Sequence, residues 1–131
     1  MRDQEALIEF IEAAMRTPFA WGSHDCVTFA AGAIEAQTGR RVLEAVQGGW
    51  TDERSARRAL ARRRGLAAAV GRILSPVPPA LAHRGDIGAV HDPRGDLALV
   101  VIEGATIVGP GPDGLVRQPR SVLVQAWSVQ Q

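Results

Sequence analysis

Leu7, Ile8, Ile11, Ala14 and Met15 fall on one side of a helical repeat, with Glu5, Glu9 and Glu12 on the other, which predicts an amphipathic helix over residues 4–15. Thr17 and Pro18 end it, because a proline disfavours helical backbone in the residue before it. A second, alanine-rich helix begins near Cys26, runs through Ala30, Ala33 and Ile34, and stops at Gly39. Residues 52–64, DERSARRALARRR, read as a third, with acids first and arginines last in the sense the helix dipole favours. Residues 65–74 predict a short fourth helix, and SPVPP after it forces an extended connection. From Gly85 onward the period changes. GDIGAV, DLALVVIEG, ATIVG, GLVRQP and SVLVQAWSV read as strands, separated by turn chemistry at Asp92-Pro93-Arg94-Gly95 and Pro112-Asp113-Gly114. Leu97 to Ile102 is apolar at every position, the pattern of a central strand covered on both faces. Helices first and an antiparallel meander second make an α+β domain.

Length and composition add little that is unusual. The 131 residues suit one core, so residues 1–131 are read as a single domain. A net charge of +1 gives no field that would draw the chain onto nucleic acid or an anionic membrane. The arginines at 54, 57, 58, 62, 63 and 64 read as a solvated helix face. The opening MRDQEALIEF has no apolar core of a secretory signal, and LAAAVGRIL is too short to span a membrane, so synthesis in a bacterial cytoplasm without a signal peptide is expected. Cys26, His24, His83 and His91 lack the close, repeated spacing of metal ligands, and no metal or cofactor is expected. Gly109 to Gly114 is read as a rigid turn, not a phosphate loop, because its prolines remove amide donors. Trp21, Trp50 and Trp127 are core or interface anchors; an exposed one would mark a partner surface.

The single cysteine carries the chemistry. A thiol of ordinary pKa, about 8.5, is mostly protonated at neutral pH, and the first turn of a helix shifts it toward the reactive thiolate. A small buried residue on an alanine-rich helix is the other reading, and position alone leaves both open.

Phe19, Trp21, Gly22, Asp25 and Cys26, followed by an apolar helix, resemble the nucleophile motif of the NlpC-type cell-wall peptidases. Gly85-Asp86-Ile87 resembles the pair that opens the first strand of that family's sheet, and Gly111 to Pro119 with Ala126-Trp127 resembles the ending of short members carried in phage and prophage tail gene clusters. The resemblance implies a papain-like fold, with the Cys26 helix packed on an antiparallel meander. It also implies a cysteine that attacks a peptide carbonyl of peptidoglycan, a histidine base at the start of the second strand, and a polar residue on the third strand that orients the base. Here Ala98, or a residue within one of it, stands where the histidine belongs. His91 is the candidate replacement if a hairpin carries it near the thiol, and a solvated hairpin residue otherwise. Asp25 is the motif neighbour, and Trp21, Gly22 and His24 complete the motif, His24 as a candidate contact of the thiol or else a structural or solvent-facing residue. Losing the base of such a pair lowers the rate by roughly 10⁴- to 10⁶-fold.

The resemblance therefore implies a phage or phage-like tail-tip component with a degenerate site that serves assembly. Its partners would be other tail proteins, and its place the virion. The alternative is a cysteine peptidase or amidase opening peptidoglycan during penetration, with Cys26 as nucleophile. A thiol-bearing binding module unrelated to tails is the third reading.

Overall fold

The computed structural model describes residues 2–42 and 50–129. Among the described residues, four helices precede the main sheet: α1 (Gln4–Ala14), α2 (Cys26–Thr38), α3 (Glu53–Arg62) and α4 (Leu66–Gly71). Their starts are written in the sequence. Asp3, Asp25 and Asp52 are N-caps whose carboxylates accept from the free amides of the first turn, and Asp25 and Asp52 form reciprocal capping boxes with Thr28 and Ser55. Gly39 ends α2 in the left-handed conformation at φ 79°, where a side chain would be strained.

Six strands form one antiparallel sheet: β1 (Ser75–Pro76), β2 (Ile87–His91), β3 (Leu97–Ile102), β4 (Thr106–Gly111), β5 (Gly114–Pro119) and β6 (Gln125–Ser128). Their spatial order is β1-β6-β2-β3-β4-β5. The expected meander therefore holds for β2 to β5 only, and β6 returns to lie between β1 and β2. It pairs Ile87 with Trp127 and Gly88 with Ala126, which places the Trp127 ring in the core at 2% exposure. SPVPP is less of a plain connection than expected, since Ser75 and Pro76 pair with Ser128 and Trp127.

The turn expected over Gly109 to Gly114 is also shorter than predicted. Gly109, Pro110 and Gly111 are strand residues of β4, and only Pro112 and Asp113 lie between the closing pair Gly111 and Gly114. Pro110 is tolerated there because the pairing of β4 with β3 ends at Val108, so its missing N–H removes no bond to β3.

The faces of the sheet are unequal. Ile87, Ala89, Leu99 and Val101 point to the helices and join Leu7, Ile11, Phe29, Ile34 and Trp127 in the main core. Val90, Val100, Ile102, Ile107 and Ala126 point the other way, beneath Val77, Ala82 and Leu123. β3 is thus central and covered on both sides, as its unbroken apolar run requires.

The Gly85-Asp86 pair ties these layers together. Asp86 is fully buried, and its Oδ1 accepts from Arg2 Nη2 at 2.6 Å and from the Val129 amide at 3.1 Å, while its Oδ2 accepts from the His83 amide at 2.7 Å. Gly85 leaves room for Gln37 of α2, whose Nε2 donates to the Gly85 and Ala33 carbonyls at 2.9 and 3.0 Å. The pair is a structural latch between the first helix, the second and the last strand.

Candidate functional site

Residues 20–24 curl into a tight loop, closed by the amide of His24 on the Ala20 carbonyl at 2.7 Å and of Ala20 on the His24 carbonyl at 3.0 Å. This loop delivers the chain to the start of α2, where Cys26 is the first helical residue and half-buried. Cys26 lines a cleft of about 480 Å³. Trp21, Asp25 and Val27 border the cleft on one side, α3 supplies Glu53, Ala56, Arg57 and Leu60, and the β2–β3 hairpin supplies Asp92, Arg94 and Asp96, with Leu97 behind them.

Burial is the largest influence on the Cys26 thiol and pushes its pKa up to about 11. The carboxylates of Asp25 and Asp92 push in the same direction, while the backbone amides of Leu99 and of Cys26 itself lower it by less.

Asp25, the motif neighbour, is not free to act on a substrate. It is 1% exposed, and its carboxylate accepts from the amides of Gly22 and Thr28, both at 2.9 Å, and from Trp50 Nε1 at 2.7 Å. It fastens the Trp21-Gly22 loop and the Trp50 ring to the helix. Gly22, at φ +84°, lies against the Trp50 carbonyl, which a Cβ would meet at 2.4 Å. Trp21 keeps 38% of its surface exposed at the edge of the cleft and meets Phe19 edge-on at 4.8 Å.

The structure does not bring His24 to the thiol. The Ala20–His24 bridge turns its ring to the α1 side, where it lines a separate groove with Phe10, Thr17 and Phe29, the Phe29 ring centre being 5.9 Å away. Burial lowers its pKa against the opposing effect of Asp25. His91 ends β2 exposed to solvent. Its Nδ1 is 3.1 Å from the Gly95 carbonyl within its own hairpin, and it is not among the residues that line the cleft.

The register settles which residue faces Cys26 from the start of β3. Ala98 packs on the far face of the sheet, and Leu97, its neighbour, lines the cleft. The third strand offers no orienting group: Thr106 is the one hydrogen-bonding side chain in β4, and its hydroxyl donates to Glu103 at the far end. Sequence reasoning missed Glu53, Arg57, Arg94 and Asp96 as cleft residues; the i,i+4 spacing of Glu53 and Arg57 was the available signal, and it was absorbed into a solvated face. Among the described residues, no group of three or more His, Cys, Asp or Glu side chains could hold a metal ion.

The model of the family described as domain of unknown function DUF6950 matches residues 1–129. The chain belongs to that family. A search of curated proteins finds no match. Among solved structures, the chain is similar to the crystal structure of the NlpC/p60 domain of the peptidoglycan hydrolase SagA, at 18% sequence identity. That superposition covers 96% of this chain and 98% of the SagA domain, with a TM-score of 0.63. This member of the DUF6950 family therefore has an NlpC/p60-like fold, with the cysteine at the start of a helix packed on an antiparallel sheet.

Proposed function

We propose that this DUF6950 protein is a catalytically silent NlpC/p60-like domain that serves the assembly of a phage or phage-like tail tip, with its cleft binding where an enzyme of the fold would cut. The observation that carries the silent reading is Leu97. It faces the Cys26 cleft from the start of the strand where the resemblance calls for a histidine, and a hydrocarbon cannot take a proton from a thiol whose pKa already lies near 11. A nucleophile without its base acts at a rate lower by roughly 10⁴- to 10⁶-fold. The tail setting rests on the likeness of Gly111 to Pro119 and Ala126-Trp127 to short tail-associated relatives. Other tail proteins are the partners proposed.

The test pairs chemistry with assembly. Purified protein incubated with peptidoglycan is expected to release no new amino termini above a Cys26→Ala control. Particles carrying Cys26→Ala are expected to assemble normally, whereas deletion of the gene arrests tail formation. Cys26-dependent release of peptide ends would establish the peptidase reading instead, and intact tails in the deletion strain would remove the assembly role.

A further inference from the structure

Two arginines from different elements meet on one carboxylate oxygen at the rim of the Cys26 cleft. Arg57 of α3 donates through Nε to Glu53 Oε2 at 3.0 Å, and Arg94 of the β2–β3 hairpin donates through Nη1 to the same oxygen. Arg57 is also held independently of Glu53, because its Nη2 donates to Asp96 Oδ2 at 2.7 Å. Its guanidinium stays aimed when Glu53 leaves. Asp92 is turned into its own hairpin, accepting from the amides of Arg94 and Asp96 at 2.8 and 3.0 Å.

Guanidinium groups converging on a point favour a carboxylate there by charge and by directed N–H donors. Beside that point the cleft is lined by hydrocarbon, from Ala56, Leu60, Leu66 and Leu97. Building on the proposal that the cleft binds, we infer that its rim is a carboxylate subsite, filled by Glu53 in the free protein. It takes an acidic side chain of a partner polypeptide whose neighbouring apolar side chain packs against Leu60, Leu66 and Leu97. The incoming carboxylate takes the place of Glu53 on the two guanidiniums, while Glu53 swings out into solvent on α3. The Glu53 and Arg94 side chains are 38% and 65% exposed, and pairs this exposed contribute little stability, so Glu53 yields easily. Apolar burial then decides in favour of the incoming segment.

The experiment is a titration of the ¹⁵N-labelled full chain, followed by NMR, with N-acetyl-leucyl-glutamic acid amide and with its glutamine analogue. The acidic probe is expected to shift the Trp21 indole and Leu97 amide signals and to bind more tightly than the neutral one. Glu53→Gln removes the internal competitor and should bind the acidic probe about three- to fivefold more tightly. Arg94→Gln should bring the two probes together by weakening the acidic one. Equal binding of both probes to the wild type, no gain in Glu53→Gln, or shifts away from the cleft would each overturn the subsite. The cleavage assay reads the underlying proposal separately: a failed titration with no cleavage removes the subsite alone, and Cys26-dependent cleavage removes the silent reading whatever the probes do.

Discussion

The Trp50 indole donates to the buried carboxylate of Asp25 at 2.7 Å, joining the wall of the cleft to the residue that caps the cysteine-bearing helix. The Asp-Cys pair of the motif is thereby divided in function. The aspartate builds the site, and the cysteine faces it.

Asp25→Ala should destabilise the fold by about 3 kcal/mol, since it removes a helix cap and leaves the Gly22 amide and the Trp50 indole without their acceptor. Trp50→Phe keeps most of the ring volume and breaks one of these bonds, for about 1 kcal/mol. Urea denaturation of the two variants checks the ranking; equal losses would mean that ring packing, not the carboxylate, holds Trp50.

Gly85→Ala is expected to be among the most damaging small substitutions in the chain. A Cβ there would come within 2.0 Å of Gln37 Oε1, at a backbone φ of +92° that side chains rarely adopt. A loss of roughly 2–4 kcal/mol is expected, read as a lowered denaturation midpoint. Gly95→Ala, with open space around its Cβ, is the control that carries only the backbone penalty, since its φ is +86°.

Alkaline pH offers a clean view of Cys26. The folded pKa is raised to about 11 from an unfolded value near 9, so the unfolded state loses its proton first. Stability is therefore full below about pH 9 and falls until about pH 11. The chain contains neither lysine nor tyrosine, so no other side chain titrates in that window. Denaturation midpoints against pH should slope downward there for the wild type and stay flat for Cys26→Ser. Iodoacetamide alkylation should show the same displacement between folded and urea-unfolded protein.

Acid pH should report on His24. Its pKa is lowered by burial, and its Nε2 is sealed from solvent with no hydrogen-bond partner. The unfolded chain binds a proton near pH 6.5 before the folded one does, so this residue's contribution is intact above that pH and is lost as pH falls toward the folded value. His24→Phe should flatten the dependence of stability as pH falls below about 6.5. An unchanged slope would assign it to the carboxylates.

The helices were legible because their signals are local. Gly39 announces the stop of α2, and the helical spacing in α1 marks its buried Leu7, Ile11 and Ala14, although Ile8 on the same predicted side stays exposed. The central position of β3 was legible from its unbroken apolar run. The return of β6 was not, because a strand of four residues carries no mark of its neighbour in space. The site divided along the same line. Trp21 and Cys26 belong to one short motif and both border the cleft, whereas the choice between Leu97 and Ala98 depends on which side of the sheet faces α2. His24, read as a candidate contact of the thiol or as a structural or solvent-facing residue, lies against Phe29, because the loop closed by the Ala20–His24 bridge turns its ring to the α1 side.

The placement of β6 has a consequence during synthesis. β6 leaves the ribosome after β1 to β5 yet lies between β1 and β2, and the next residue, Val129, completes the shell around Asp86. Until those residues emerge, β2 has an unpaired edge, Trp127 has not filled the core, and a buried carboxylate lacks one of its donors. The nascent chain can form its helices and the β2–β5 hairpins, but the six strands join only once β6 has emerged, so folding is governed by a contact between distant parts of the chain.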